Sequence, residues 1–428
     1  MFQTIAGIWK ARDLRNRVLF TLGILAVFRI GSFIPVPSVN ATVLKQLGEN
    51  PVFGLLNTFS GGALQNFSLF AMSITPYITA SIIVQLLSMD VIPRFAEWAK
   101  EGEHGRRRLA QVTRYLTVVL GLIQAVGLSI SFNRTLPGLI VNPGFETYAL
   151  IAITLTAGTA FLMWLGEQIT EKGIGNGISI IIFAGIVARL EGAVRTVYQS
   201  WFYQHPDQLF LNIVKVVLML AGIVIVVTAV IFVQQGVRRI PVQYSKRVVG
   251  RRMYGGQTTH IPLRVNAAGV IPVIFATSLL LFPATIAQFF RGHWFADWVM
   301  TVFSYRSTTY LVLEVLLIIG FTFFYTYVQI NPQQLADQMR KYSGFIPGIR
   351  PGKATEAFII RVMNRITLAG ALFLAAVTVL PILFGNLTGL NLYFGGTGLL
   401  IVTGVALETM KQIESQLLQR HYRGFIRS

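Results

Sequence analysis

About ten long, mostly apolar stretches constrain this chain more than any other feature. They lie near residues 18–37, 70–89, 113–133, 146–167, 175–191, 211–233, 265–289, 308–328, 365–384 and 393–411. Each is close to the roughly 20 residues that an α-helix needs to cross a bilayer core. Inside lipid every backbone polar group must be satisfied within the structure, which leaves helices or closed barrels. The runs are continuous rather than short and alternating, so helices are expected. Only 12% of the 428 residues are charged, about half the usual share of a soluble domain. The expected fold class is therefore all-α, a polytopic membrane protein with about ten spans. The first span holds Arg29 and has no small-residue cleavage site before Pro35-Val36-Pro37, so it reads as a retained helix and not as a signal peptide.

Positive charge sets the expected orientation. Taken alternately from the N-terminus, one set of connecting segments holds 28 Lys and Arg and the other only 6. Both termini are thus expected in the cytosol, with a basic cytosolic face suited to anionic lipids or acidic partners. Residues 1–17 read as a cytosolic amphipathic helix, with Phe2, Ile5, Ala6 and Trp9 on one face. Residues 412–428 read as a cytosolic tail.

Three regions depart from simple span-and-loop order. Segment 53–69 is too apolar for a loop and too short to cross, and Ser60-Gly61-Gly62 interrupts it. It reads either as extracellular packing or as a small half-helix in a cavity. Loops 234–264 and 329–365 carry 7 and 6 basic residues. Turns such as Pro347-Gly348-Ile349-Arg350-Pro351-Gly352 give the second a fixed shape. The two read as a docking platform, against the simpler reading of positive-inside charge.

Enzyme signatures fail. Gly348 to Ala354 is one residue short of a phosphate loop, and Ala354 stands where Ser or Thr would hold magnesium. Gly173-Ile174-Gly175-Asn176-Gly177 lacks the third dinucleotide-binding glycine. The five histidines share no i,i+4 pair, and there is no cysteine; no catalytic residue, metal site or cofactor is expected. Within the spans the ionisable groups are few: Arg29, Lys215 and Glu314, with Glu167 and Glu408 near span ends. Lys215 and Glu314 are expected to snorkel from outer span ends. Arg29 is expected to pair with backbone carbonyls or an acid on a neighbouring helix. So uncharged an interior favours a passive conduit over a coupled pump. Ile74 and Ile78 share a helical face near mid-span, and Ile182, Ile274 and Ile401 lie at similar depth. Apolar rings can close a pore by dewetting, but aliphatics fill these helices throughout.

Longer matches add a family. Phe28-Arg29-Ile30-Gly31-Ser32-Phe33-Ile34-Pro35, Phe59-Ser60-Gly61-Gly62-Ala63-Leu64, Thr75 to Ile83, Glu101 to Arg107, Met163 to Gln168, Gly173 to Ser179, Gly348 to Gly352 and Tyr393-Phe394-Gly395-Gly396-Thr397 resemble the SecY family of bacterial protein-translocation channels. The resemblance implies two pseudo-symmetric five-helix halves, residues 18–191 and 192–411, around an hourglass pore. It implies a constriction ring of Ile74, Ile78, Ile182, Ile274 and Ile401. Segment 53–69, with Asn57, Phe59, Ser60, Gly61, Gly62, Leu64 and Asn66, is then the plug. A lateral gate between spans 2–3 and 7–8 would be lined by Gln85, Gln124, Thr277 and Ser278. Arg247, Arg251, Arg252 and Arg350 become the docking site for the motor ATPase SecA and for ribosomes. The implied setting is the bacterial plasma (inner) membrane, with SecE and SecG as small companion subunits and unfolded preproteins as substrate. A secondary transporter centred on Glu314 and a ribosome-binding scaffold are the alternatives.

Overall fold

The computed structural model describes residues 11–40, 60–89, 91–135, 138–203, 208–244, 247–249, 252–254, 258–287, 290, 293–303, 307–388 and 396–426. The expected helix at 1–17 lies largely outside them.

The first half of the chain supplies α1 (Arg12–Gly31), α2 (Thr75–Leu87), α3 (Pro93–Lys100), α4 (Glu103–Thr135), α5 (Phe145–Lys172), α6 (Gly177–Ala188) and α7 (Leu190–Val197), the last followed by a π-helical turn at Tyr198–Tyr203. The second supplies α8 (Leu209–Gln235), strands β1 (Val237–Tyr244), β2 (Arg247–Val249), β3 (Arg252–Tyr254) and β4 (Thr258–Arg264), then α9 (Ile271–Ala287), α10 (Trp294–Val302), α11 (Thr308–Gln329), α12 (Pro332–Lys341), β5 (Gly344–Phe345), α13 (Lys353–Thr388) and α14 (Gly396–Ile426). Six helical segments among the described residues are long and apolar enough to cross a membrane, and α2 and α9 are shorter apolar helices. With α1 and α14, every expected span contains a helix, so this is a multi-pass helical protein.

Helix starts follow local chemistry. Asn176 caps α6, its side chain accepting from the amides of Ile178 and Ser179. Asn331 caps α12, with Pro332 in the first turn. Pro76 opens α2 one turn deeper than the apolar run suggests. Three helices run far beyond their expected spans: α4 begins at Glu103, α13 at Lys353, and α14 continues to Ile426. Basic residues expected in loops, among them Arg361 and Arg365, are therefore on helical extensions beyond the lipid-spanning turns.

The loop at 234–264 is not a loop. Its strands β1 and β4 pair antiparallel from Val237↔Arg264 to Gln243↔Thr258. Strand β5, from the other basic segment, adds to β1 at Gln243↔Phe345 and Tyr244↔Gly344. Ile240, Val242 and Leu263 from the hairpin bury against Met339, Ile346 and Ile359. The two basic segments thus share one core and form a single projection.

The largest core runs through the helical bundle, joining α1, α2, α5, α6, α8, α9, α11, α13 and α14. A second gathers Leu64, Phe67 and Met72 with residues of α4 and α5, including Phe132 and Leu155.

Candidate functional site

The bundle centre is built from the ends and middles of short helices. Ile74 caps α2, and Ile78 stacks one turn on, its amide donating to the Ile74 carbonyl at 3.0 Å. Ile182 lies mid-way along α6, Ile274 in the first turn of α9 and Ile401 in the second turn of α14. All five are buried, between 0% and 7% exposed, and belong to one apolar cluster. Four helices remote in sequence therefore bring these isoleucines together. Ile181, Ile186 and Leu400 are equally buried in that cluster, so the five are part of a larger aliphatic core.

The segment before α2 explains why that helix starts deep. Residues 60–74 form consecutive tight turns with no helix. This differs from a half-helix over 53–69; Asn57 and Phe59 lie outside the described residues. Gly61 and Gly62 take positive φ of 65° and 89°, a backbone state suited to glycine. A Cβ on Gly61 would also lie 2.9 Å from Cα of Gly185 in α6. The segment is tied down on several sides. Arg29 donates to the Gly61 carbonyl at 2.9 Å, and its guanidinium lies 4.6 Å from the Phe33 ring centre. The expected carbonyl partner of this deep arginine is thus on the segment itself. The Leu64 amide donates to the Ser60 hydroxyl at 3.3 Å, and Asn66 donates to the Ser32 carbonyl at 3.4 Å. Extended pairing with 34–36 fixes the other edge, where Val36 donates to Phe67 and Leu69 to Ile34, both at 3.0 Å. Ser60, Ala63 and Phe67 are fully buried.

A seam separates α2 and α4 from α9 and α11. Gln124 on α4 and Ser278 on α9 line one small cavity together with Leu64 and Thr79. Thr277 is buried and turns its hydroxyl back to the carbonyls of Val273 and Ile274, both at 3.0 Å, so it spends its hydrogen bond within α9. Gln85 is not in that cavity; its side-chain oxygen accepts from the hydroxyl of Tyr325 on α11. Tyr325 sits edge-on to Phe275, with ring centres 5.1 Å apart. Sequence reasoning misses Tyr325, since its partner is far away along the chain.

On the β projection, Arg350 is exposed between Gly348 and Gly352, whose φ values are 81° and 101°. Its carbonyl accepts from the Thr355 hydroxyl at 2.9 Å. Arg247 pairs with Tyr254, and Arg252 with Val249, across the β2–β3 ribbon. Arg251 lies outside the described residues.

One ionisable group departs from expectation. Glu314, expected to snorkel, is fully buried on α11, and among the described residues neither carboxylate oxygen has a hydrogen-bond partner. Helix α11 packs against α9 and α13, and the side chain is enclosed within the bundle rather than reaching out of it. Lys215 is half-buried, 5.8 Å from the Trp201 ring, an arrangement that suits snorkelling. Among the described residues no group of three His, Asp or Glu gathers at metal-binding distance.

Comparison with known proteins points one way. The SecY family profile matches residues 68–410. The protein translocase subunit SecY of Halalkalibacterium halodurans is 58% identical, with all of both chains aligned. A solved protein-conducting channel shares the fold with a TM-score of 0.62 at 18% identity, covering 93% of this chain and 91% of its own. Sec61 in the canine ribosome–channel complex of the endoplasmic reticulum does so with a TM-score of 0.58 at 17% identity, over 93% and 91%. Sequence match over the whole length and a shared helical architecture agree: the chain belongs to the SecY family.

Proposed function

We propose that this chain is a protein-conducting channel, passing unfolded secretory polypeptides across the bacterial plasma membrane and releasing hydrophobic segments sideways into lipid. The observation that carries this reading is the gathering of Ile74, Ile78, Ile182, Ile274 and Ile401 from four helices into one buried aliphatic cluster. Flexible apolar side chains can close around a threaded chain of any sequence while disfavouring water and ions. Specific polar contacts would select substrates instead.

The other parts fit that role. The turns at 60–74 act as a plug on one side of the ring, and the seam with Gln85, Gln124, Thr277 and Ser278 as the lateral gate. The halves 18–191 and 192–411 then move as two units. Energy must come from outside, so the basic projection with Arg247, Arg251, Arg252 and Arg350 is the docking face for a motor such as SecA and for the ribosome. Placing that projection in the cytosol puts both termini there as well, in keeping with the charge bias. SecE and SecG are the expected companion subunits.

The test is to stall a secretory chain in the channel and place a photoprobe at Ile78 or Ile274. Crosslinks to the stalled chain at both positions are expected; crosslinks to lipid alone would overturn the reading.

A further inference from the structure

The short helix α10 follows α9 and precedes α11, on the side of the bundle opposite the β projection by alternation of the passes. At nine residues it is about 13 Å long, far short of a span. Its surface divides into three stripes. Ala296 and Val299 are buried and pack with Ala287 at the end of α9, with Met300 and Phe303 beside them. His293, Asp297 and Thr301 form an exposed polar stripe. Trp294, Phe295 and Trp298 form the third, 80%, 58% and 55% exposed, with Trp294 edge-on to Phe295 at 5.9 Å between ring centres and Phe295 stacked on Trp298 at 6.0 Å.

We infer that this aromatic stripe is a lipid-interface anchor, seated among the headgroups and upper acyl chains of the leaflet on that side. Two observations choose lipid as the occupant. The helix leaves and re-enters the bundle through membrane-spanning segments, so it is held at the level where those segments emerge. Its sequence is bracketed by Arg291 and Arg306, cations that complement lipid phosphates, while indole rings favour the boundary between hydrocarbon and water. The polar stripe then faces water. Because the packed stripe grips the end of α9, the anchor fixes that end of the helix in the plane of the membrane. The inference needs only a membrane-resident chain and stands apart from the channel reading.

The chain has no cysteine, so single labels are clean. Trp298→Cys and Thr301→Cys, each in the full-length chain with its co-purifying subunits, are labelled with the fluorophore NBD. They are reconstituted in phosphatidylcholine–phosphatidylglycerol vesicles. The Trp298 label should lose most of its emission to a headgroup nitroxide lipid and little to aqueous iodide, with Thr301 the reverse. Iodide reaching both labels equally, or neither quencher reaching Trp298 because a protein covers it, would overturn the anchor. Should labelling disturb folding, native tryptophan emission replaces it. Brominated lipids should quench the unsubstituted chain more than Trp294→Phe/Trp298→Phe, and equal quenching counts against the proposal.

Discussion

The hydroxyl of Tyr325 donates to the side chain of Gln85, joining two residues 240 positions apart. It is a polar tie across the seam, and on its own side Tyr325 packs edge-on against Phe275 of α9 and Phe324 of α11. Gln85 is solvent- or lipid-accessible while Tyr325 is buried at the contact, so the tie sits at the rim of the seam. A net hydrogen bond is worth about 1 kcal/mol, a factor of about 5 in an equilibrium constant. Tyr325→Phe keeps the ring packing and removes only the donor. It should shift the gate towards opening by about that factor, read as increased export of preproteins with weakened signal sequences. Unchanged export would show that the bond does not hold the seam closed.

The isoleucine cluster makes a separate prediction. Truncating a buried Ile to Ala costs about 2–5 kcal/mol and leaves a cavity. Ile78→Ser on α2 and Ile274→Ser on α9 should therefore raise resting ion conductance in planar bilayers, and the double variant should exceed either alone. Exposed Ile153 on α5 is the control: Ile153→Ser should leave conductance at the unsubstituted level.

Segment 60–74 is held by a close approach as well as by hydrogen bonds. A Cβ on Gly158 of α5 would lie 2.0 Å from the Leu69 carbonyl oxygen, backbone that cannot rotate away. Gly158→Ala should push the segment off α5, raising ion leak and the protease sensitivity of residues near 60–70. Arg29→Ala, which removes the donor to Gly61, should do the same more weakly, since the extended pairing with residues 34–36 remains.

How much of this is legible without coordinates depends on distance along the chain. The apolar runs announce their helices because each carries its own signal over some twenty residues. The β projection is harder. Ile240, Val242 and Tyr244 alternate as a strand should, but Pro241 argues against a central strand. The structure tolerates it because β5 pairs only with Gln243 and Tyr244, leaving that edge of Pro241 unpaired. The isoleucines are recognisable as a group only through family resemblance, since nothing local separates Ile182 from Ile181. Tyr325 and the burial of Glu314 are set by which helices meet, and no periodicity within α11 states that.

On the projection, Arg350 is held out by two glycines with left-handed backbone and by the Thr355 bond to its carbonyl. The side chain is thus presented by a rigid turn, and reversing its charge changes the surface without touching the shared core of Ile240, Val242 and Ile346. Arg350→Glu should abolish motor-driven export while the channel still accumulates in the membrane. Quantitative blotting of membranes beside an export assay separates the two effects; export at the unsubstituted level would remove Arg350 from the docking face.

Glu314 separates a channel from a coupled carrier. A carrier uses an intramembrane carboxylic acid as its ion or proton site, so losing ionisation there would stop transport. In a channel driven from outside, a buried acid without a hydrogen-bond partner among the described residues contributes nothing to the driving step, and burying it unpaired costs free energy. Glu314→Gln preserves shape and removes the ionisable group; Glu314→Leu removes both polar oxygens. Translocation driven by a motor should persist in both variants at close to the unsubstituted rate. The Leu variant should be at least as stable to heating as the parent, because no hydrogen bond among the described residues is lost and a buried polar group is gone. Loss of transport in Glu314→Gln, with expression and thermal stability retained, would favour the carrier reading over the channel.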